Sequence, residues 1–526
     1  MGTDRGKVSR VTYDEPLPHE IALAAVLDEG RPDAVAKQHA RGKLTARERI
    51  TALVDEGTLR EIGALTAGTG PDGRPVPADG VVCGTAAIDE RPVAVVASDF
   101  TAAGGSSGAV GNAKIERLCT IAATRGIPVV MLMDGGGHRI HEGLDAKEFA
   151  IGVDVQHLHT RLSGWVPLVA AILGPGFGAP TLTASLCDYV VAVRGIATLG
   201  MAPPPLVKAA TGEELDESVS GADAQARFGN LDAVLDTEQE AFDAIRLYLD
   251  MLPSNAEAAL QLRRAEPPVA RAAELLDATV SADPRAAYDM YAVLAGLVDE
   301  DSEVDLRPAY APNMVTMLAR IEGNPIGIVA SQPAVRAGQL DAAACAKASR
   351  LVSLCDAYSI PVLTVIDLPG LAVGLEAERS GLGRASIRLA AAYGAATVPL
   401  LTVVARKGYG GGYVMLSGGR TFSPELVVGW PHAETAVMAA ETAVELVFKR
   451  DLEAAASPEE RAAKAREIAA AFDDRAGAVR GAEGFGYDAV IRPSETRAWL
   501  AELLPQLPRH RLMETLTPRR HGVEPL

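Results

Sequence analysis

Three segments from the first half of this 526-residue chain recur, in the same order, in its second half. They are Glu116–Gly137 with Ser349–Gly370, Val166–Pro180 with Val398–Gly412, and Leu231–Asp236 with Tyr487–Arg492. The period is far too long for a solenoid of short repeats, so the pattern indicates a duplicated domain. We therefore predict two domains, at residues 1–265 and 266–526. The second copy is longer, and we expect its extra residues in the polar helical stretch near 457–475.

Each copy alternates helical and strand patterns. Ile115, Leu118 and Ala122 have helical spacing, and the apolar run Ile127–Met133 that follows is typical of a strand buried on both faces. Such strands, alternating with helices, indicate a largely parallel sheet covered by helices, which is an α/β fold. With 48% hydrophobic and 22% charged residues, the chain can bury enough apolar surface to exclude global disorder.

Glycine-rich turns follow the predicted strands. The turns Gly174–Ala179 and Gly408–Gly412 occupy matched positions in the two copies, and we expect each to open a helix. In α/β folds, ligands bind beyond the carboxyl ends of strands. Glycine lets backbone N–H groups approach a ligand, and the first N–H groups of a helix lack internal partners, so each turn could form an oxyanion hole. The alternative for a single turn is that its glycines only allow close packing.

Composition and motifs exclude several other functions. The formal net charge of −18 disfavours nucleic acid as a partner. The turns carry neither a nucleotide-binding loop nor a GxSxG nucleophile motif. The five cysteines form no CxxC pair and no HExxH occurs, so we predict no bound metal and buried, reduced thiols in a cytoplasmic protein. No signal peptide and no membrane-spanning segment are expected, because the longest apolar runs are only strand-sized.

Nine stretches along the chain are similar to a known family. They are Ala40–Thr58, Ser98–Leu118, Asp134–Gly143 (DGGGHRIHEG), Val207–Ala222, Asn324–Asp341, Asp367–Leu371, Arg406–Met415 (RKGYGGGYVM), Trp430–Met438 and Tyr487–Arg497. In this respect the chain resembles the carboxyltransferase (β) subunits of biotin-dependent acyl-CoA carboxylases, of the propionyl-CoA and acetyl-CoA carboxylase type. The stretches follow the family order and cover nearly the whole chain.

The resemblance implies two tandem crotonase-like domains, the N-terminal one for acyl-CoA and the C-terminal one for carboxybiotin. It also implies a homohexamer, a dimer of trimers, with sites where the N-terminal domain of one subunit meets the C-terminal domain of another. No cofactor would be bound covalently. A biotinylated biotin carboxylase and carrier (α) subunit would present carboxybiotin, and an acyl-CoA would be the substrate.

The resemblance also assigns roles to residues. Backbone N–H groups of Gly178 and Ala179 would stabilise the enolate of the acyl-CoA, and those of Gly411 and Gly412 would stabilise the biotin ureido oxygen. The freed biotin nitrogen can take the α-proton, so no side-chain base is needed. The implied substrate-binding residues are Gly136, Gly137, His138, Arg139, Lys407, Tyr413 and Val414. For Arg139 and Lys407, the alternative to binding an anionic group is a solvated charge at the rim.

The sequence departs from the family pattern at a few positions. Ala179 replaces a glycine of the first turn, and its methyl group narrows the approach to the N–H. His138 and His141 are unusual; their rings could tune substrate choice or turnover, or simply pack at the surface. Val414 replaces the aspartate usual in the propionyl type, so the preferred acyl group is open.

Two other functions fit the same sequence. A decarboxylase or transcarboxylase subunit would use the same fold and the same two N–H pairs with the chemistry reversed. A non-catalytic homologue that only scaffolds a carboxylase complex is the third possibility. Retention of the GYGGGY motif at 408–413 argues against the scaffold.

Overall fold

The computed structural model describes residues 16–511 with gaps at 71, 147–149 and 151–154. These residues divide into two compact units. The first contains the described chain up to Leu162, together with Val169–Leu186 and Ile196–Leu215. The second contains Ser163–Leu168, Cys187–Gly195 and the described chain from Asp216 onwards.

Strands and helices alternate along the chain. The strands are β1 Arg60–Glu61, β2 Ala67–Thr69, β3 Pro75–Pro77, β4 Val81–Ile88, β5 Arg91–Ser98, β6 Val129–Met133, β7 Leu168–Ile172, β8 Pro175–Phe177, β9 Tyr189–Val193, β10 Thr198–Gly200, β11 Ala233–Leu235, β12 Val304–Asp305, β13 Met314–Ile321, β14 Asn324–Ser331, β15 Val362–Leu368, β16 Leu400–Tyr409, β17 Leu426–Gly429, β18 Glu434–Ala436 and β19 Ala489–Val490. The α-helices of the described residues are Pro18–Val26, Pro32–His39, Ala46–Leu53, Ala109–Arg125, Ile140–Gly143, Val155–Leu162, Ala179–Leu186, Pro204–Thr211, Glu217–Ser220, Ala222–Arg227, Glu238–Met251, Ala270–Thr279, Met290–Leu294, Ala342–Ala357, Leu375–Arg379, Leu382–Ala395, Gly410–Met415, Ala440–Val447, Lys449–Glu453, Pro458–Ala476, Ala478–Glu483 and Thr496–Leu503.

In the first unit, β1, β4, β5, β6 and β7 lie side by side in that order. β4 runs antiparallel to β1 and β5, and β5 runs parallel to β6. The short strands β8 and β10 form a separate parallel pair. β6 is buried along its whole length, as expected for a strand covered on both faces.

In the second unit, the strand order is β12–β13–β14–β15–β16–β17–β19, and β18 also pairs with β16. β13 is antiparallel to both neighbours, whereas β14, β15, β16 and β17 are parallel to one another. Strands β9 and β11 form a further parallel pair. The α/β prediction is therefore confirmed for both units.

In both the β4–β5 and the β13–β14 hairpin, an aspartate carboxylate accepts hydrogen bonds from two backbone N–H groups of the turn. In the first, Asp89 and Glu90 both have positive φ (49° and 65°), as a two-residue type I′ turn requires. Their N–H groups donate to the Asp55 carboxylate at 3.0 and 2.8 Å, which offsets the cost of left-handed backbone at residues other than glycine. In the second hairpin, the N–H groups of Glu322 and Gly323 donate to Asp299 in the same manner, at 2.9 and 2.7 Å.

A fully buried aspartate stands at the carboxyl end of the strand that follows each hairpin. Asp134, directly after β6, accepts from Lys43 Nζ at 2.5 Å, Arg49 Nη1 at 2.7 Å and Gln38 Nε2 at 3.1 Å. These charges are almost completely shielded from solvent, so the pairing must compensate a large loss of hydration.

Asp367, near the end of β15, has an equivalent set of partners in the second unit. Its carboxylate contacts Arg406 Nε at 3.1 Å and Lys407 Nζ at 3.3 Å, and it accepts from the Lys407 N–H at 3.2 Å. Each aspartate thus binds one lysine and one arginine.

Several local predictions are confirmed. The helical spacing before the first predicted strand corresponds to helix Ala109–Arg125, and the polar stretch near 457–475 is helix Pro458–Ala476, capped by the Ser457 side chain. All five cysteines are buried and free of disulfides.

The boundary between the two predicted domains at residue 265 stays a prediction. No helix in the described ranges is long and apolar enough to cross a bilayer.

We predict that Asp134→Asn lowers the free energy of unfolding by about 3–5 kcal/mol, because Lys43 and Arg49 then remain buried without a compensating charge. Urea denaturation measures the change. Asp243→Asn is the matched control: its carboxylate is 61% exposed, and losing its surface ion pair should cost about 0.5 kcal/mol. Equal effects of the two substitutions would contradict a structural role for the buried pairs.

Candidate active site

The first glycine turn connects β7 to a helix through the short strand β8, which the sequence did not predict. The helix begins at Ala179, as expected. Gly178 has a φ of +75°, which only glycine adopts without strain. Its N–H donates to the carbonyl oxygen of Gly200 at 2.9 Å, as part of the β8–β10 pairing. An enolate oxygen could bind this N–H only by displacing that hydrogen bond.

The N–H of Ala179 is available to a ligand. It is the first N–H of helix Ala179–Leu186, and among the described residues none accepts a hydrogen bond from it. Gly137 lies next to it: a Cβ built on Gly137 would be 3.5 Å from Ala179 Cβ and 3.0 Å from Pro180 Cδ. The Gly137 N–H likewise has no acceptor within the described ranges. The structure therefore brings Gly137 and Ala179 together.

Both residues line a cavity of about 130 Å³ in the first unit. Its other described lining residues are Val81, Val96, Ser98, Gly105, Ser107, Asn112, Ile115, Met131, Leu132, Met133, His138, Val155, Gln156, His159, Pro180 and Thr183. Strands β4, β5 and β6 contribute an apolar wall, and no described lining residue carries a carboxylate, ammonium or guanidinium group. Such an apolar, concave site with a few polar groups is typical of small-molecule binding.

His159 is a cavity residue that the sequence analysis missed. It lies on helix Val155–Leu162, is 1% exposed, and neither ring nitrogen has a hydrogen-bond partner among the described residues. Burial lowers the pKa of its imidazole to about 4. In the sequence it occupies a helical face with Val155 and Leu162, so its spacing is that of a packing residue.

The predicted residues near the cavity differ in their surroundings. His138 is half-buried and lines the cavity, whereas Gly136 is exposed. Arg139 is only 3% exposed: its guanidinium pairs with Asp79 and Glu142, each at 2.6 Å. The alternative of a solvated rim charge is therefore wrong for Arg139, because the fold buries and pairs its charge.

His141, by contrast, is exposed, and its Nε2 lies 3.0 Å from the Thr69 carbonyl oxygen. This surface position agrees with the packing alternative for His141 and places its ring outside the described cavity lining.

The second glycine turn has no intervening strand. β16 runs directly into helix Gly410–Met415, and Gly410 has a φ of +58°. A Cβ on Gly412 would lie 2.6 Å from Leu368 Cδ1 and 2.9 Å from the Gly370 carbonyl carbon, so this position requires glycine. Within the described chain, the N–H groups of Gly411 and Gly412 have no acceptor, and Gly411 is exposed.

Lys407 is held within the second unit rather than at an open rim. It is 8% exposed, and its ammonium donates to the Pro284 carbonyl oxygen at 2.7 Å besides contacting Asp367. Burial lowers the pKa of its ammonium, against the opposing effect of the Asp367 charge. The solvated-rim alternative is thus wrong for Lys407 too.

Tyr413 and Val414 follow the second turn but point into different environments. The Tyr413 ring packs close to Gly408 and Gly418, where built Cβ atoms would lie 2.7 and 2.4 Å from its Cδ2. Burial raises the pKa of its phenol. Val414 is 39% exposed and presents an apolar side chain to the surface. A substrate contact of either residue stays a prediction.

Metal ligands are not clustered in the part of the chain that the structure describes: no group of three or more His, Cys, Asp or Glu side chains could hold an ion there.

Trp430 is 1% exposed, and its Nε1 donates to Thr496 Oγ1 at 2.8 Å. It is thus a core residue.

The sequence and the structure are both similar to known carboxyl transferases. A family model described as "Carboxyl transferase domain" matches residues 37–523. The chain is 37% identical to the propionyl-CoA carboxylase beta chain of Saccharopolyspora erythraea, over 94% of this chain and 93% of that protein. It is 35% identical to the methylmalonyl-CoA decarboxylase subunit alpha of Veillonella parvula, over 97% and 98% of the two chains.

A solved structure agrees with these relatives. The transcarboxylase 12S subunit, determined as a hexamer with methylmalonyl-coenzyme A and methylmalonic acid bound, has a TM-score of 0.87 and 33% identity to this chain. The comparison covers 96% of this chain and 97% of that subunit.

We predict that His159 makes the protein less stable in acid. The unfolded imidazole takes up a proton below about pH 6.5, whereas the folded one stays neutral until the pH approaches its lowered pKa of about 4. Protons therefore favour unfolding in this window. Between pH 7 and pH 5, the wild type should lose about 2 kcal/mol of unfolding free energy relative to His159→Leu.

Urea denaturation at each pH measures this difference. His157→Leu, on the exposed face of the same helix, should follow the wild type over the whole range. A constant difference between wild type and H159L would show that the His159 ring is not sequestered from water.

Proposed function

This chain belongs to the carboxyl transferase domain family, which confirms the resemblance of its motifs, and from this premise we propose how it acts. It is an acyl-CoA carboxyltransferase subunit, which moves a carboxyl group between biotin on a partner protein and the α-carbon of an acyl-CoA. The observation that carries this proposal is the apolar cavity lined by Gly137 and Ala179, whose N–H groups donate to no acceptor among the described residues.

On the acyl side, we assign the thioester oxygen to Ala179 and Gly137. The proposed pair differs from Gly178 with Ala179, because the Gly178 N–H already donates to Gly200. Negative charge develops on the thioester oxygen when the α-proton leaves. Two fixed donors in an apolar cavity stabilise that charge without reorganisation, and the loss of one such donor typically costs about 3–4 kcal/mol of transition-state stabilisation.

On the carrier side, the N–H groups of Gly411 and Gly412 are suited to the ureido oxygen of biotin. Gly411 is exposed, and the absence of a Cβ at Gly412 lets the turn approach Leu368 and Gly370 closely. This turn occupies the repeat position equivalent to that of Ala179. Carboxybiotin, when presented there, supplies the carboxyl group and the ureido nitrogen that is released as the C–N bond breaks.

The described residues offer no strong side-chain base on the acyl side. No described lining residue of the cavity is an acid or a lysine, and the buried His159 is a weak base. In the carboxylation direction, the α-carbon loses a proton and its electron pair forms the new C–C bond to the carboxyl carbon. A proton acceptor outside this chain, such as the ureido nitrogen, therefore suits the site.

The relatives span both directions of the chemistry. A propionyl-CoA carboxylase beta chain and a methylmalonyl-CoA decarboxylase subunit alpha are about equally similar to the chain, at 37% and 35% identity. The N–H groups that stabilise an enolate serve carboxylation and decarboxylation alike, because both directions pass through the same charge.

We further propose two tandem crotonase-like domains at residues 1–265 and 266–526, and a cytoplasmic homohexamer with a biotinylated partner subunit. Two features that occur once in each unit support the duplication. One is a hairpin turn whose N–H groups donate to an aspartate, and the other is a buried aspartate that pairs with a lysine and an arginine. The hexamer of the transcarboxylase 12S subunit supports the assembly.

Reconstitution tests the function. The purified chain, its biotinylated partner, ATP and labelled bicarbonate are incubated with a panel of acyl-CoAs, and we expect label in a carboxylated acyl-CoA. Release of CO2 from a carboxylated acyl-CoA without ATP would instead identify a decarboxylase subunit. An intact complex with no turnover in either direction would identify a scaffold and contradict the proposal.

We predict that Gly137→Ala lowers kcat by about 10²–10³-fold, as expected when an oxyanion can no longer reach its donors, because the added methyl group crowds the N–H pair. The added Cβ would lie 3.0 Å from Pro180 Cδ and 3.4 Å from the Phe177 carbonyl oxygen, within the space beside the proposed donor pair. Initial rates of carboxyl transfer measure the effect.

Gly195→Ala is the matched control. Gly195 has the same φ of +78° as Gly137, but a Cβ built on it meets no atom within 4 Å. It carries the same backbone strain and should leave kcat unchanged. Equal losses in the two variants would mean that strain, and not blockage of the donors, reduces the rate.

A further inference from the structure

We propose that His159 determines acyl specificity: the cavity takes an acyl chain that carries a neutral hydrogen-bonding group, a hydroxyl or a keto oxygen, and the His159 ring binds that group. This inference rests on the proposed function, because it takes the cavity to be the acyl site. The chemical class of substrate is a short hydroxyacyl or oxoacyl thioester.

The placement of His159 is the first argument. The ring lines the same cavity as Gly137 and Ala179, the donors proposed for the thioester oxygen. Its neighbours on the cavity-facing side of the helix are Val155 and Gln156. A group bound to His159 would therefore be part of the same small molecule as the thioester.

The second argument is the absence of a partner. His159 is 1% exposed, and within the described residues both of its ring nitrogens lack a hydrogen bond. Buried polar side chains in proteins are nearly always hydrogen-bonded, because an unpaired one is destabilising. A residue with a purely structural role at this position would be satisfied by the protein or be apolar. An imidazole left unpaired at a cavity wall is explained by a ligand that pairs with it.

The chemistry of the ring selects the ligand class. A neutral imidazole offers one N–H donor and one acceptor nitrogen, which a hydroxyl group can use in either sense and a keto oxygen can use as an acceptor. Burial keeps the ring neutral by lowering its pKa to about 4. A carboxylate would favour the charged ring, which the apolar wall disfavours.

The size of the cavity limits the length of the acyl chain that can bind. Its volume of about 130 Å³ is below the roughly 300–1,000 Å³ of pockets for drug-sized ligands, so it suits an acyl chain of a few carbon atoms. Strands β4, β5 and β6 provide apolar contacts along it through Val81, Val96 and Met131. A short chain bound by its thioester oxygen can reach His159 with a polar group near its far end.

Binding measurements test the inference. Dissociation constants for butyryl-CoA, 3-hydroxybutyryl-CoA, 4-hydroxybutyryl-CoA and acetoacetyl-CoA are determined by calorimetry on the full chain, without partner or turnover. For each variant, the readout is the dissociation constant of butyryl-CoA divided by that of the oxygenated thioester that binds most tightly. We expect about a tenfold preference for an oxygenated thioester in the wild type, the effect of one hydrogen bond to a buried polar group.

His159→Leu should abolish that preference, and His159→Gln, which keeps a donor and an acceptor, should retain part of it. His157→Leu, on the exposed face of the same helix, should keep it fully. The thermal stability of H159L should equal or exceed that of the wild type at pH 7.5, because an unpaired polar group is removed.

The outcomes separate this inference from the proposed function. If butyryl-CoA binds but no oxygenated thioester is preferred, or if H159L keeps the wild-type preference, the role of His159 is wrong and the carboxyltransferase assignment stands. If no thioester binds at all, the proposed acyl site itself is wrong. A marked loss of stability in H159L would mean that the ring has a structural partner, which also contradicts the inference.

Discussion

The pairing of one buried carboxylate with a lysine and an arginine fixes the ends of the central strands. Asp134 forms it with Lys43 and Arg49, and Arg49 also donates to the Leu173 carbonyl oxygen at 3.0 Å, just before the first glycine turn. Gly174 follows so closely that a Cβ there would lie 1.9 Å from the Asp134 carboxylate. The position of the turn, and with it the direction of its N–H groups, depends on this ion cluster.

The same principle holds at the second turn, with different sequence positions. Arg406 and Lys407 lie on β16 itself, so the strand that leads into the second turn binds Asp367 through two side chains and one N–H. Lys407, which the sequence analysis considered for binding an anionic group, thus holds the framework of the second unit through Asp367. The cavity of the first unit, in turn, has no charged side chain among its described lining residues.

Local patterns in the sequence were sufficient to predict the fold class and the helices that begin after both glycine turns. Long-range contacts were not predictable. Arg139 pairs with Asp79, sixty residues away, and Gly178 donates to Gly200 through two three-residue strands that have no clear sequence pattern. His159 has the spacing of an ordinary packing residue, and only the cavity reveals it. The sequence predicted what each segment becomes, whereas the partners of polar groups depend on tertiary packing.

The proposed donors on both turns are main-chain atoms, and this affects how such a protein evolves. Alanine supplies the same N–H as glycine, so the Ala179 found here keeps its donor, whereas at Gly412 any Cβ would collide with Leu368 and Gly370. Mutations in the cavity wall can then accumulate under selection for a new metabolite without first inactivating the enzyme. A lineage built on this architecture can diversify its substrates, while its chemistry is inherited unchanged.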